Sequence, residues 1–498
     1  MARPSWFFPR IALVAGLIPG PGCASRGDGD PGTTDDGGTT LIRPGNPGGL
    51  QGLDLSAAER VPTVLTARWH TDSPGRSWVE YGLDGVIDHS TPAVEAAADG
   101  ASEVVVLGLK AGRSYAVRAV TALDDGTTLR SDTWTVQVAT RAVGLPTVRL
   151  TDDLPGQHAT DDYFLVSLVD LKHSWIVLLD RDGDYVWWHD AGPDTQVITV
   201  RPSLDGQDVL FMPTFEAPWQ DRAEVRRVSL RTGELLRSTR TPMGHHAFAE
   251  LPNGLIAFLA YETAWAQFGP SSADITTDRL ELVPEGSDET TPSSLLFDAL
   301  TDWRAPAPGC DHTTEHHNTQ GGLDWTHANS LIYDEAADQL LLNLRWQDTL
   351  LSLDATSGAV SWEMGPFSTD LLGPPDQVWS HPHLSDADQD TVVAFDNGDH
   401  HSTQASGVSV YSLDHAAGTW TRSFRYDDPE HRFIQVVGDA RRMPDGDLLT
   451  SWTTAGTLQE LSPQGVVTWA VGTELGYGTS RVIYVPDLYD LASGELGN

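Results

Sequence analysis

Residues 324–365 read DWTHANSLIYDEAADQLLLNLRWQDTLLSLDATSGAVSWEMG, and residues 379–401 read WSHPHLSDADQDTVVAFDNGDHH. In both stretches the apolar runs are short and turn residues separate them, which is the signature of successive hairpin-linked strands rather than helices. The same phrase recurs on either side. It runs over 164–190 (FLVSLVDLKHSWIVLLDRDGDYVWWHD), 197–240, from 245 onward (HHAFAELPNGLIAFLAY), 381–426 and 440–472. Each instance spans about 40 residues or a little more, the length of a propeller blade, and radial closure of such blades leaves few exposed sheet edges. The expectation is an all-β chain whose residues 145–498 form a six-bladed β-propeller.

The preceding residues differ in character. From 54 to 142, alternating runs such as VPTVLTARWHT, SWVEYGL, SEVVVLGLK and TWTVQVATR are split by turns, as in an antiparallel β-sandwich. Their order resembles a fibronectin type III module, which implies a supporting domain without chemistry of its own. Residues 24–53 are rich in Gly, Asp, Thr and Pro with no apolar period and read as a flexible linker. At the start, Arg3 and Arg10 precede the apolar run Ile11–Ile18 and small residues lead to Cys23. That run is too short to span a bilayer and has the anatomy of a secretion signal. Residues 1–23 resemble a lipoprotein signal with Cys23 as the lipidated residue. The resemblance implies export across the inner membrane and a periplasmic or cell-surface lipoprotein, attached to a membrane only through its lipid.

The formal net charge is −39 over 498 residues. Nucleic acid is therefore excluded as a partner, since phosphate binding needs a positive footprint. An anionic small molecule would need a local cluster of Arg and His. The repeat supplies one. His246, His327, His381 or His383, and Arg345 stand at the edges of equivalent strands, with Arg441 following in the last repeat, so a propeller would gather them at one central channel. Arginine presents a fixed fork of donors to oxyanions, and histidine changes roles near neutral pH. Two cysteines, Cys23 and Cys310, cannot make a disulfide framework. The run 309–320, GCDHTTEHHNTQ, places His312, Glu315, His316 and His317 near Cys310. Its spacing matches neither HExxH nor a paired Cys/His zinc site, so it reads as a polar loop near the channel mouth and no metal is expected. FDNGDHH reads as a strand and an Asn-Gly turn.

THANS, then NLRWQDTLLSLDATSGAVSWEMG, then FDNGDHH, then GDARRMPDGDLL, in this order, resemble the bacterial aryl-sulfate sulfotransferases that do not use a nucleotide sulfate donor. The resemblance covers residues 163–489. It implies transfer of a sulfuryl group from a phenolic sulfate ester to a phenol acceptor, in two steps through a sulfohistidine, with no cofactor. By position it carries catalytic roles to His246, His327 and Arg345; His245, Asn329 and Arg441 are expected as substrate-binding neighbours. The nucleophile belongs just before FDNG, where HPH stands in place of a single histidine. The equal spacing of His246 to Phe258 and His383 to Phe395 favours His383, with His381 next. A propeller that kept the fold and only binds is the alternative.

Overall fold

The computed structural model describes residues 38–42, 50–159, 162–170, 172–214, 222–268, 271–310 and 321–489. Cys23 and the signal-like segment lie outside them, as do residues 311–320 with His312, Glu315, His316 and His317.

Among the described residues, regular structure is almost entirely antiparallel β-strand. Residues 40–137 form two sheets. One has the row Thr40–Ile42, Trp134–Gln137, Ser114–Leu123 and Gly75–Leu83, with short strands at its margin; the other joins Gln51–Ala57, Leu65–His70 and Ala101–Val106. Leu65, Ala67, Trp69 and Val104 from the second sheet share a core with Val79, Tyr115, Val117 and Val136 from the first. Alternation along Leu65–His70, with every second residue buried, is what a half-buried strand requires. This unit begins earlier than composition suggests. Thr40–Ile42 lies in the stretch expected to be linker, yet it pairs antiparallel with Trp134–Gln137, because TLI offers three consecutive strand-forming side chains to an open edge.

Among the described residues beyond 145 there are six sheets of four or five strands. Four of them are simple meanders that begin at Gln196, Gly244, Ala328 and His383. The remaining two are closed by the ends of the region. Val148–Asp153 adds an outer strand to the sheet of Asp439–Arg442, Leu448–Trp452, Thr457–Leu461 and Val467–Thr473. Gly478–Val485 pairs with Tyr163–Val169 and becomes the inner strand of the sheet that continues through His173–Asp180 and Tyr185–Pro193. The inner strands, which start at Gln196, Gly244, Ala328, His383, Asp439 and Gly478, each touch the next, and the last returns to the first. That closed ring is a propeller.

Each pair of neighbouring sheets shares an apolar layer. Between the sheets of Gly244 and Ala328 it holds Leu259, Leu280, Leu331, Leu342 and Leu351; between those of Ala328 and His383 it holds Leu350, Met364, Leu384 and Tyr411. Burial of these side chains on both faces keeps the inner strands in place. One hairpin outgrows its sheet: Leu255–Phe268 and Ser271–Pro284 are 14 residues each, and Leu323–Asp324 pairs in parallel with Ile275 and Thr276 of the second. This extension brings Tyr261, Asp278 and Asp324 beside the ring.

Candidate functional site at the ring of inner strands

Three histidines share one backbone conformation. His246, His327 and His381 have φ values of 54°, 48° and 51°, in the left-handed region, where each inner strand begins. A non-glycine residue seldom adopts this shape, and histidine tolerates it better than most. Two residues on from His381 comes His383, which pairs with Phe395; two on from His246 comes Phe248, which pairs with Phe258. In register, therefore, His381 is the counterpart of His246 and His327. This corrects the spacing comparison drawn from sequence: His246–Phe258 and His383–Phe395 match in number because the hairpin of the His383 sheet is longer, not because the histidines are equivalent.

Hydrogen bonds fix the ring tautomers. Asn397 donates its amide nitrogen to the carbonyls of Ile434 (2.6 Å) and Val437 (2.9 Å). Its Oδ1 is thereby turned to His383, and His383 Nδ1 donates to it at 2.8 Å. The lone pair of His383 then resides on Nε2. His327 Nδ1 lies 2.5 Å from Asp324 Oδ2, which likewise leaves Nε2 as its outward nitrogen. His245 stacks flat on Tyr261 with ring centroids 3.6 Å apart, and its Nε2 is 2.9 Å from Asp278 Oδ1, a close but poorly aligned contact. The Nδ1 atoms of His245 and His246 are 2.9 Å apart, so the two rings share one proton there. His246 in turn meets His327 edge-on, with centroids 5.2 Å apart.

Burial holds His246 and His383 neutral. It pushes His246 well below the ordinary histidine range, and the neighbouring His245, His327, His383 and Arg481 push the same way. It does the same to His383, reinforced by Arg345 and Arg481 and opposed by the Asn397 bond. Two arginines stand among them. Arg345 Nη2 donates to the Gln435 carbonyl (2.8 Å) and approaches Asp399 Oδ2 (3.4 Å), while its guanidinium lies 4.2 Å from the centre of the Trp346 ring. Arg481 is buried to 1 % exposure; its Nη2 donates to the Asn329 carbonyl and to Ser330 Oγ, and its Nε and Nη1 have no partner among the described residues. Burial lowers it to about 10, with Asp439 opposing. Neutral imidazole nitrogens beside incompletely satisfied guanidinium forks are a donor set whose chemistry suits an oxyanion.

The residues expected from sequence therefore divide. His246, His327, His383 and Arg345 come together, and His245 supports His246. His381 is fully buried and faces elsewhere: Nδ1 lies 2.7 Å from Asp399 Oδ2 and Nε2 3.4 Å from Cys310 Sγ, with Trp346 at 4.6 Å between centroids on the side toward His327. Asn329 is a brace. Its Nδ2 donates to the Pro382 carbonyl (3.0 Å) and its Oδ1 accepts from Asn343 (2.7 Å), which sets the HPH segment. Arg441 rests on Asp439 (3.2 Å) at the level of Arg201 and Arg481 rather than beside the histidines. Arg442 is spent on Asp386 and Asp388. Sequence reasoning missed Arg481, Asn397, Asp278 and Asp324. An arginine inside the apolar run SRVIYV was the one available signal for Arg481; Asn397 was concealed by its resemblance to a turn residue.

Residues 154–484 match the family described as Arylsulfotransferase (ASST). No curated protein matches the chain. Among solved structures, the chain is similar to a protein of unknown function from Bacteroides caccae, with 12% identity, 66% of this chain and 100% of that one covered, and a TM-score of 0.38. It is also similar to a catalytically inactive variant of virginiamycin B lyase from Staphylococcus aureus with quinupristin, at 11% identity, 68% and 99% coverage, and a TM-score of 0.36.

Proposed function

The chain belongs to the arylsulfotransferase family, and on that premise we propose that it moves a sulfuryl group from a phenolic sulfate ester to a phenol through a sulfohistidine at His383, without a nucleotide donor. The observation that carries this reading is the convergence of His246, His327 and His383 with Arg345 and Arg481 on one ring, where burial keeps His246 and His383 neutral.

In the first half-reaction the Nε2 lone pair of His383 attacks sulfur, the N–S bond forms and the S–O(aryl) bond breaks. As positive charge grows on the imidazole, the Asn397 carbonyl oxygen stabilises the Nδ1–H it already accepts. Sulfuryl transfer, like phosphoryl transfer, spreads negative charge over three equatorial oxygens, and Arg345 and Arg481 supply the complementary donors. His327, acting as an imidazolium whose Nδ1–H is held by the Asp324 carboxylate, gives its Nε2 proton to the departing phenolate. In the second half-reaction His327 accepts the proton of the incoming phenol, whose oxygen attacks sulfur and releases His383. The His245–His246 pair, backed by Asp278, keeps the neighbouring donors oriented. Trp346 forms an aromatic wall between His327 and His381.

The purified protein, incubated with p-nitrophenyl sulfate and no nucleotide, is expected to gain the mass of one SO3 group on His383 and to release nitrophenolate continuously only when phenol is added. Absence of both adduct and release across several aryl sulfates would refute the transferase and leave a binding propeller.

A further inference from the structure

Behind Trp346, outside the histidine ring, lies a second cluster. Cys310 comes from the segment before the Ala328 sheet, His381 from the start of the His383 sheet, and His400 from the turn after FDNG. Cys310 Sγ is 3.4 Å from His381 Nε2, the rings of His381 and His400 are 4.6 Å apart, and one donor atom from each of the three residues lies within 4.8 Å of the others.

A tetrahedral zinc ion with Zn–S near 2.3 Å and Zn–N near 2.0 Å separates sulfur from nitrogen by about 3.5 Å, so the Cys310–His381 distance already has the right length. His381 has the correct tautomer. Its Nδ1 is 2.7 Å from the Asp399 carboxylate, so the proton is held there and Nε2 turns its lone pair to Cys310. A carboxylate behind a ligating histidine is the usual outer support of a zinc site. The His400 side chain is exposed and can swing the remaining distance.

We propose that Cys310, His381 and His400 bind a single Zn2+ ion, with Asp399 as the outer support of His381. Local spacing around Cys310 matched no zinc motif because the three ligands come from three separate segments. The ion ties those segments together at the edge of the ring. Asp399 also approaches Arg345, so zinc binding would limit how that guanidinium sits toward the histidine ring. The proposal is independent of the transferase reading, because metal binding is measured without turnover.

The test uses the full chain, stripped with chelator, then titrated with Co2+ and separately loaded with Zn2+. One equivalent of zinc is expected, along with the visible bands of tetrahedral cobalt and a near-ultraviolet thiolate-to-cobalt band. Cys310→Ser should abolish the thiolate band, and His400→Ala should weaken cobalt binding at least tenfold. Asp399→Asn should weaken it by about 10- to 100-fold while keeping the thiolate band. A wild-type protein that retains no zinc after loading, or a cobalt spectrum unchanged in Cys310→Ser, overturns the proposal. If Cys310→Ser does not fold, His400→Ala, at an exposed position, decides: unchanged cobalt affinity overturns the site.

Discussion

His381 and His383 are two residues apart and serve different regions. His383 reaches the ring, where its neighbours are His246, His327 and two arginines, and where a neutral amide sets its tautomer. His381 reaches a cluster behind Trp346, where its neighbours are a thiol, a histidine and a carboxylate. Yet by backbone register His381, not His383, is the counterpart of His246 and His327. Equivalence in a repeat fixes where a backbone stands. What a side chain can do depends on which partners the loops bring to it. An amide leaves the imidazole a nucleophile with little electrostatic bias; a carboxylate beside a thiol makes a ligand.

The sharpest way to break this comparison is to remove each histidine in turn. His383→Ala is expected to lower phenol-dependent turnover of p-nitrophenyl sulfate by on the order of 10^4-fold and to abolish the sulfuryl adduct, because the covalent route is gone. Loss of the adduct in His381→Ala with retention in His383→Ala would reverse the assignment. Next come the arginines. Arg345→Lys and Arg481→Lys each replace a planar fork with a point charge, and each should cost about 10^2- to 10^3-fold in kcat/KM. Equal turnover in Arg481→Lys and wild type would remove Arg481 from the oxyanion site. Asn397→Ala comes third. It frees the His383 tautomer, so kcat is expected to fall by about 10- to 100-fold with KM little changed, whereas a purely structural role would show in thermal stability with kcat preserved.

Much of this was legible in the sequence. The strand-turn-strand repeat exposed the propeller, since period-two burial and turn chemistry are local properties. His246, His327 and Arg345 were legible because they stand at repeat edges beside apolar runs. The partners that set their chemistry were not. Asp278 and Asp324 reach the ring only through a 14-residue hairpin extension and a parallel pairing, which no local period encodes. Asn397 looks like a turn residue until its two carbonyl acceptors are known. Arg481 enters from the closing strand, 152 positions from the asparagine whose carbonyl it meets.

The smallest effect separates burial from chemistry. His189, away from the ring, is held at about 4 by burial, opposed by its bond to the Gly233 carbonyl, and His246 is held well below its ordinary value by burial on the ring. Both have folded pKa values below the unfolded value near 6.5. The unfolded chain therefore takes up protons first as pH falls, so the stability these groups contribute is complete above about 6.5 and is lost toward acid. Each should add a slope of about 1.4 kcal/mol per pH unit to the stability below 6.5. Urea midpoints measured from pH 7.5 to 5 should flatten in both His189→Gln and His246→Gln. Transferase activity at pH 7.5 should survive only the first change. If His246→Gln flattens the stability curve and leaves turnover intact, then burial alone accounts for a neutral histidine on the ring, and neutrality is no mark of the reaction.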